Sequence, residues 1–242
     1  MIVELERKAL VIGASGGIAT ALIQHLLDQG YQVHAVSRAA KSNLSHDQLT
    51  WYCCDYSDVS LASVCEQLSE TIPSLNSIYI CNGLLHSDEI RPEKQLAQLT
   101  SDAFLNVLQV NALLPMRWVR QVHRYLNRQQ DITLVVFSAR VGSIGDNGLG
   151  GWYSYRASKA TLNMLLKTYS IELQRTHPNA SILIFHPGTT DTGLSKPFQK
   201  NVPDGKLFSA DFVADRLFEL VQSEDRNKPI AYLDWQGKGI PW

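Results

Sequence analysis

The sequence predicts an α/β fold, doubly wound around a parallel sheet of about seven strands, and three observations carry that prediction. Short apolar runs alternate with amphipathic helical stretches from residue 8 to residue 233. The first run is followed at once by a glycine-rich turn that opens a helix. Residues of distinctive chemistry cluster just after the apolar runs, where ligands sit in open parallel sheets.

Lys8-Ala-Leu-Val-Ile12 reads as the first strand. After Gly13-Ala-Ser-Gly-Gly-Ile-Ala19, apolar residues recur at helical spacing (Ile18, Leu22, Ile23, Leu26, Leu27) until Gly30. Gln32 to Val36 is a second strand, and strand, turn, helix, strand is a βαβ unit with parallel pairing. The alternation repeats with strands at Leu49 to Cys54, Ser77 to Cys81, Ile132 to Phe137, Ser181 to His186 and Pro229 to Leu233. Helices are predicted between them at Val59 to Leu68, Asp102 to Leu126, Ser154 to Arg175 and Ala210 to Val221. Pro115 lacks a backbone donor and opposes the carbonyl of Asn111, so the long fourth helix is expected to kink there. The freed carbonyl either holds a water or reflects packing alone.

The chain has 242 residues, 45% hydrophobic and 19% charged, with a net charge of -1. That fits one compact domain over residues 1–242. The charge balance offers nothing for nucleic acid or an anionic membrane. No apolar run reaches the ~18 residues of a membrane span, and the charged, mixed start from Met1 to Lys8 is unlike a secretory signal. Cysteines 53, 54, 65 and 81 have no metal-type spacing, and free thiols in a cytoplasmic protein account for them. No metal site is expected.

The glycine turn, with Ser15 and Ile18 inside it, lets backbone and helix N–H groups approach a phosphate at Gly13 and Gly17. At the second strand's exit stands Ser37-Arg38, with Lys41 close behind and no carboxylate. A guanidinium beside a hydroxyl suits a ribose 2'-phosphate, which favours NADP(H) over NAD(H). Asp55 is placed to reach an adenine edge or to cap the next helix. Asn82-Gly83 is a turn at the fourth strand's exit. Tyr155 and Lys159 share one helix face at i and i+4. An adjacent ammonium favours phenolate and lowers the phenol's pKa, which suits proton exchange with a substrate oxygen. After the sixth strand, Pro187-Gly188 leads through Thr192 into a polar stretch. Residues 189–209 are expected to form a substrate lid, with Leu194, Phe198 and Leu207 as its apolar underside.

These residues resemble the short-chain dehydrogenase/reductase family over nearly the whole chain, with its Rossmann-type sheet. Gly13, Gly17 and Ala19 are similar to its TGxxxGxG turn, although Ile12 and Ala19 depart from the usual Thr and last Gly. Asp55 fits its adenine-binding Asp, Asn111 its helix Asn, Tyr155 and Lys159 its YxxxK pair, and Pro187, Gly188 and Thr192 its PGxxxT segment. Arg140 to Ile144, Gly150 to Lys159 and the ending Asp234 to Trp242 resemble its C-factor/sniffer-like carbonyl reductase branch. The resemblance implies hydride transfer between NADP(H) and a small or medium carbonyl/alcohol substrate. Tyr155 is then the acid/base, Lys159 lowers its pKa and holds the nicotinamide ribose, and Asn111 positions a relay water.

Two positions depart from the family. Its Asn-Asn-Ala-Gly is Ile80-Cys-Asn-Gly83 here, and its second strand-end serine is Ala139. Ser138, nearest the strand end, and Ser143, close to the usual serine–tyrosine interval, are the alternatives for the catalytic serine. Ala139 also leaves a second reading open, a dinucleotide-binding sensor of C-factor type with little turnover. The family often pairs subunits through its fourth and fifth helices, which implies a homodimer or homotetramer.

Overall fold

The computed structural model describes residues 7–41, 43–223 and 228–242. The charged start, read above as unlike a signal, lies outside the described residues up to residue 6. The strands are β1 (Lys8–Ile12), β2 (Gln32–Ser37), β3 (Leu49–Cys53), β4 (Ser77–Ile80), β5 (Ile132–Phe137), β6 (Ala180–His186), β7 (Thr189–Thr190), β8 (Leu207–Phe208) and β9 (Ile230–Asp234). The helices are α1 (Gly17–Asp28), α2 (Asp58–Gln67), α3 (Ser101–Leu108), α4 (Leu114–His123), α5 (Tyr153–Thr176) and α6 (Ala210–Ser223).

Seven strands form one sheet in the order β3-β2-β1-β4-β5-β6-β9, and every neighbouring pair is parallel. The chain winds outward from β1 to β3, then crosses to β4 on β1's other side. That reversal leaves a crevice at the carboxyl ends of β1 and β4, the topological switch point.

Residues along β1 alternate between two apolar layers. Leu10 and Ile12 join Leu61, Trp118 and Leu162, while Ala9 and Val11 join Leu22, Ile23 and Leu217. Helices α2, α4 and α5 thus cover one face, and α1 and α6 the other. Local chemistry stops and starts these helices where the sequence placed them. Gly30 takes φ +77° after α1, and its N–H bonds the Leu27 carbonyl at 2.9 Å. Ser57 caps α2 by accepting from Ser60 N–H at 3.2 Å.

The long fourth helix differs in detail from expectation. Its irregularity at Asn111 takes the form of a π turn over Gln109–Leu113 between α3 and α4, closed by Leu114 N–H on the Gln109 carbonyl. Pro115 has no N–H to give, and a widened turn absorbs the missing bond while the helix continues.

The ladder of β7 and β8 was not foreseen. Thr189 pairs with Leu207 and Thr190 with Phe208, so the segment between β6 and α6 is a flap closed at its base by two short strands. Two-residue strands leave too little periodicity to read.

Trp118 is fully buried beneath α4 and meets Tyr56 edge-on at 6.2 Å. Trp118→Ala should cost about 3–5 kcal/mol of stability, measured by urea unfolding. A loss well under about 1 kcal/mol would show that this layer is not closely packed.

Candidate active site

The first part of the site is the turn between β1 and α1. Gly13 sits at φ +82°, and a Cβ there would lie 3.1 Å from Asn82 N. A Cβ on Gly17 would lie 2.8 Å from Thr192 Cγ2, so the turn and the flap approach to a distance only glycine permits. Gly16 is the N-cap of α1 and offers no side chain, which leaves first-turn N–H groups without that partner.

Neighbouring strand exits complete this half. The Ser37 hydroxyl donates to Ser15 Oγ at 2.9 Å and accepts from Ala39 N–H at 3.2 Å. The exposed Arg38 guanidinium stands 6.0 Å from the centre of the Tyr56 ring. Asp55 is exposed and accepts from Ser57 N–H at 2.8 Å, which holds its carboxyl below the usual range. The α2 cap is Ser57, so Asp55 is not tied up in that duty.

The second part centres on α5. Tyr155 and Lys159 project from one face as the spacing predicts, and both are buried. Lys159 Nζ donates to the Phe137 carbonyl at 2.9 Å, at the end of β5, and lies 5.9 Å from the Tyr155 ring centre. Burial, not the ammonium, dominates the electrostatics. It pushes the Tyr155 phenol up, with a further push from Tyr232, and brings Lys159 down to about 8. The lowered phenol expected from the i, i+4 pairing is therefore not what the chain's own groups produce. Low-dielectric surroundings penalise phenolate and ammonium alike.

Asn111 is buried within the π turn. Its Nδ2 donates to the Leu84 carbonyl at 2.7 Å and to Ser158 Oγ at 3.0 Å, and its Oδ1 accepts from Leu84 N–H at 2.7 Å. The side chain thereby clamps the loop after β4 onto α5. Of the two candidate serines, Ser138 lines the cleft, and its hydroxyl donates to Asn163 Oδ1 at 2.7 Å. Ser143 is buried away from the cleft lining and accepts from Asp146 N–H at 3.1 Å. Ala139 lines the cleft, and its carbonyl accepts from the Tyr232 hydroxyl at 2.6 Å.

These pieces face one cleft of about 970 Å³. It brings together Ser15, Gly17, Ile18, Asn82, Gly83, Ser138, Tyr155, Lys159, Pro187, Gly188 and Thr192. Gly13, Ser37, Arg38, Asp55, Asn111 and Ser143 are not among its lining residues. From the flap, Leu194 and Phe198 line it, whereas Leu207 is committed to β8 and faces elsewhere.

Several residues of this region escaped the sequence. Glu93 is buried with no neighbour in sequence to announce it, and its carboxylate accepts from both the hydroxyl and, at 3.1 Å, the N–H of Ser154 at the start of α5. His86 hydrogen-bonds the flap carbonyl of Gly193 at 3.2 Å. His186 lines the cleft as a neutral imidazole, since burial and then Arg140 lower it to about 4. Trp152 lay within the Gly150 to Lys159 stretch of the family resemblance, with no role assigned to it.

The family profile of the short chain dehydrogenases matches residues 7–203. The chain belongs to the short-chain dehydrogenase/reductase family. It is similar to the 1-hydroxy-2-glutathionyl-2-methyl-3-butene dehydrogenase of Rhodococcus sp. (strain AD45), at 32% identity over 78% of this chain and 80% of that one. Its fold matches a Burkholderia multivorans short-chain dehydrogenase/reductase solved with bound NADP, with a TM-score of 0.84 at 23% identity, covering 98% of this chain and 100% of that one. It likewise matches the carbonyl reductase Sniffer of D. melanogaster, with a TM-score of 0.83 at 18% identity and the same coverage. The family binds a nicotinamide cofactor, and the residues here fit one. Gly17 lines the cleft beside Thr192 with no side chain of its own, and Asn82 Oδ1 is a buried acceptor with no partner among the described residues, on a residue that lines the cleft.

Burial of Lys159 has a consequence for stability. Its folded pKa of about 8 lies below the ordinary 10.5, so the unfolded chain binds more protons between those values. Stability contributed at this position should therefore rise with pH across that window and be lost again as pH falls through about 8. Compared by urea unfolding at pH 7, 8 and 9.5, wild type should gain on Lys159→Met as pH rises. A difference that is flat or falls with pH would contradict the burial.

Proposed function

We propose that this chain is an NADP(H)-dependent reductase that interconverts a small or medium carbonyl compound and its alcohol, with Tyr155 as acid/base. One observation carries the reading: the buried Tyr155–Lys159 pair faces the same cleft as the glycine turn. When bound, the reduced cofactor supplies a hydride with its electron pair to the carbonyl carbon. Tyr155 donates its phenolic proton to the carbonyl oxygen, and burial keeps that proton in place at neutral pH. Lys159, titrating at about 8, is matched to return a proton to Tyr155 and to hold the nicotinamide ribose. Asn111, in the π turn before Pro115, positions the water that continues the relay in this scheme.

Gly13, Ser15, Gly17, Ile18, Asn82, Gly83, Pro187, Gly188 and Thr192 receive the dinucleotide in this scheme. Ser37 and Arg38 take its 2'-phosphate, and Asp55, ionised and exposed, its adenine amino group. Residues 189–209 act as the lid, tied down through His86 and Gly193. Ala139 supplies no hydroxyl, and Ser138 turns its own toward Asn163, so the substrate oxygen leans on Tyr155. Loss of such a donor costs ~10²-fold or more in rate. That same alanine favours the second reading, a cofactor-binding sensor with little turnover.

Titration of NADPH and NADH by fluorescence, followed by a carbonyl panel, separates the two. Tyr155→Phe should lower kcat by roughly 10²- to 10⁴-fold while NADPH still binds. NADPH binding without Tyr155-dependent turnover on any carbonyl would favour the sensor. Arg38→Ala should weaken NADPH by roughly 10- to 100-fold, with little change for NADH. Tighter binding of NADH by wild type would remove the case for a 2'-phosphate site.

A further inference from the structure

The end of the cleft beyond Tyr155 is walled by rings, and one of them is held against its backbone preference. Trp152 has φ +53°, in the left-handed region that bulky side chains avoid. Gly150 and Gly151 precede it at φ +64° and +66°, so three successive left-handed residues lead into α5. Such a conformation persists where its surroundings over-determine it, and strain of this kind concentrates at ligand sites. Here the surroundings are specific. Trp152 N–H donates to the Glu93 carbonyl at 2.5 Å, and the Trp152 carbonyl accepts from Arg156 N–H at 2.8 Å. The Arg156 side chain donates to the carbonyls of Gly150 and Gly151 at 3.0 and 2.9 Å.

What this delivers is an indole that lines the cleft and remains only partly buried. It meets Tyr155 edge-on at 6.1 Å and Phe198 of the flap at 5.3 Å. Phe198 is itself positioned by the His86 ring at 5.6 Å, while His86 holds the flap at Gly193. Leu85 and Val141 extend the wall, and Ala139 presents a methyl group in place of a hydroxyl. The Trp152 ring also packs against the small cluster of Leu85, Ile90, Val107 and Tyr155, and its remaining surface lines the cleft, where a ligand can reach it.

We infer that Trp152, Phe198 and Tyr155 form a subsite for a planar aromatic ring carried beside the reacting carbonyl, with Trp152 as the residue that sets this specificity. That substrate class rests on the reductase reading above. Ring edges and faces attract one another through their quadrupoles, whereas an alkyl chain on the same wall gains burial alone.

The test compares 2-acetonaphthone with 2-octanone, by kcat/KM with NADPH and by calorimetric binding to NADP⁺-loaded protein. Wild type should prefer the aryl ketone by about tenfold or more. Trp152→Leu should bring the two near parity, Trp152→Phe should restore most of the preference, and Phe198→Leu should weaken it independently. Turnover without an aryl preference, or a preference untouched by Trp152→Leu and Phe198→Leu, overturns the subsite and leaves the reductase standing. Trp152-dependent binding of 2-acetonaphthone without turnover supports the subsite and overturns the reductase. Neither turnover nor Trp152-dependent binding overturns both. Should Trp152→Leu fail to fold by circular dichroism, Phe198→Leu decides the outcome by the same two measurements.

Discussion

The bond from Lys159 Nζ to the Phe137 carbonyl, 2.9 Å long, fastens the start of α5 to the carboxyl end of β5. An ammonium buried to this depth needs a polar partner, and the strand end is where a main-chain carbonyl is left over by the ladder. The surrounding chain makes room for it. A Cβ on Gly142 would come within 2.8 Å of Lys159 Cβ, and one on Gly83 would stand 4.0 Å from Nζ and 3.9 Å from Asn111 Oδ1. At Gly142 only glycine lets the loop after β5 close this tightly on Lys159, while at Gly83 the approach is an ordinary contact.

Around that point, loops are lashed to α5 by single buried polar groups. Asn111 uses three hydrogen bonds to hold Leu84 and Ser158 together. Glu93 does the same for the helix start through Ser154, and its own carbonyl fixes Trp152. Tyr232, from the far edge strand, pins the carbonyl of Ala139. Each anchor satisfies groups that burial would otherwise penalise, and together they tie the distant segments around the cleft to one another.

The electrostatic outcome follows from the same burial. Burial pushes the phenol up, so it keeps its proton, and brings the ammonium down to about 8, so it stays charged at neutral pH but gives up its proton more readily. Such a pair is suited to passing a proton from the ammonium to the phenol.

The sheet was legible because parallel strands buried on both faces read as continuous apolar runs, and all seven lie within a residue or two of their predicted bounds. Tyr155 and Lys159 were legible because helical spacing puts i and i+4 on one face, and the glycine turn because its position after β1 leaves few other uses. Three things were decided only in the folded chain. The irregular helix at Pro115 became a π turn because neighbouring segments, through Asn111, reward that geometry. The phenol's pKa went up, because desolvation depends on what packs over a residue and not on what stands four positions along. The aromatic wall assembled from Trp152, Phe198 and His86, residues far apart in sequence, joined by ring contacts and by a backbone conformation no local pattern encodes. Periodicity along one element is written in the sequence. Proximity between elements, and the dielectric it creates, is not.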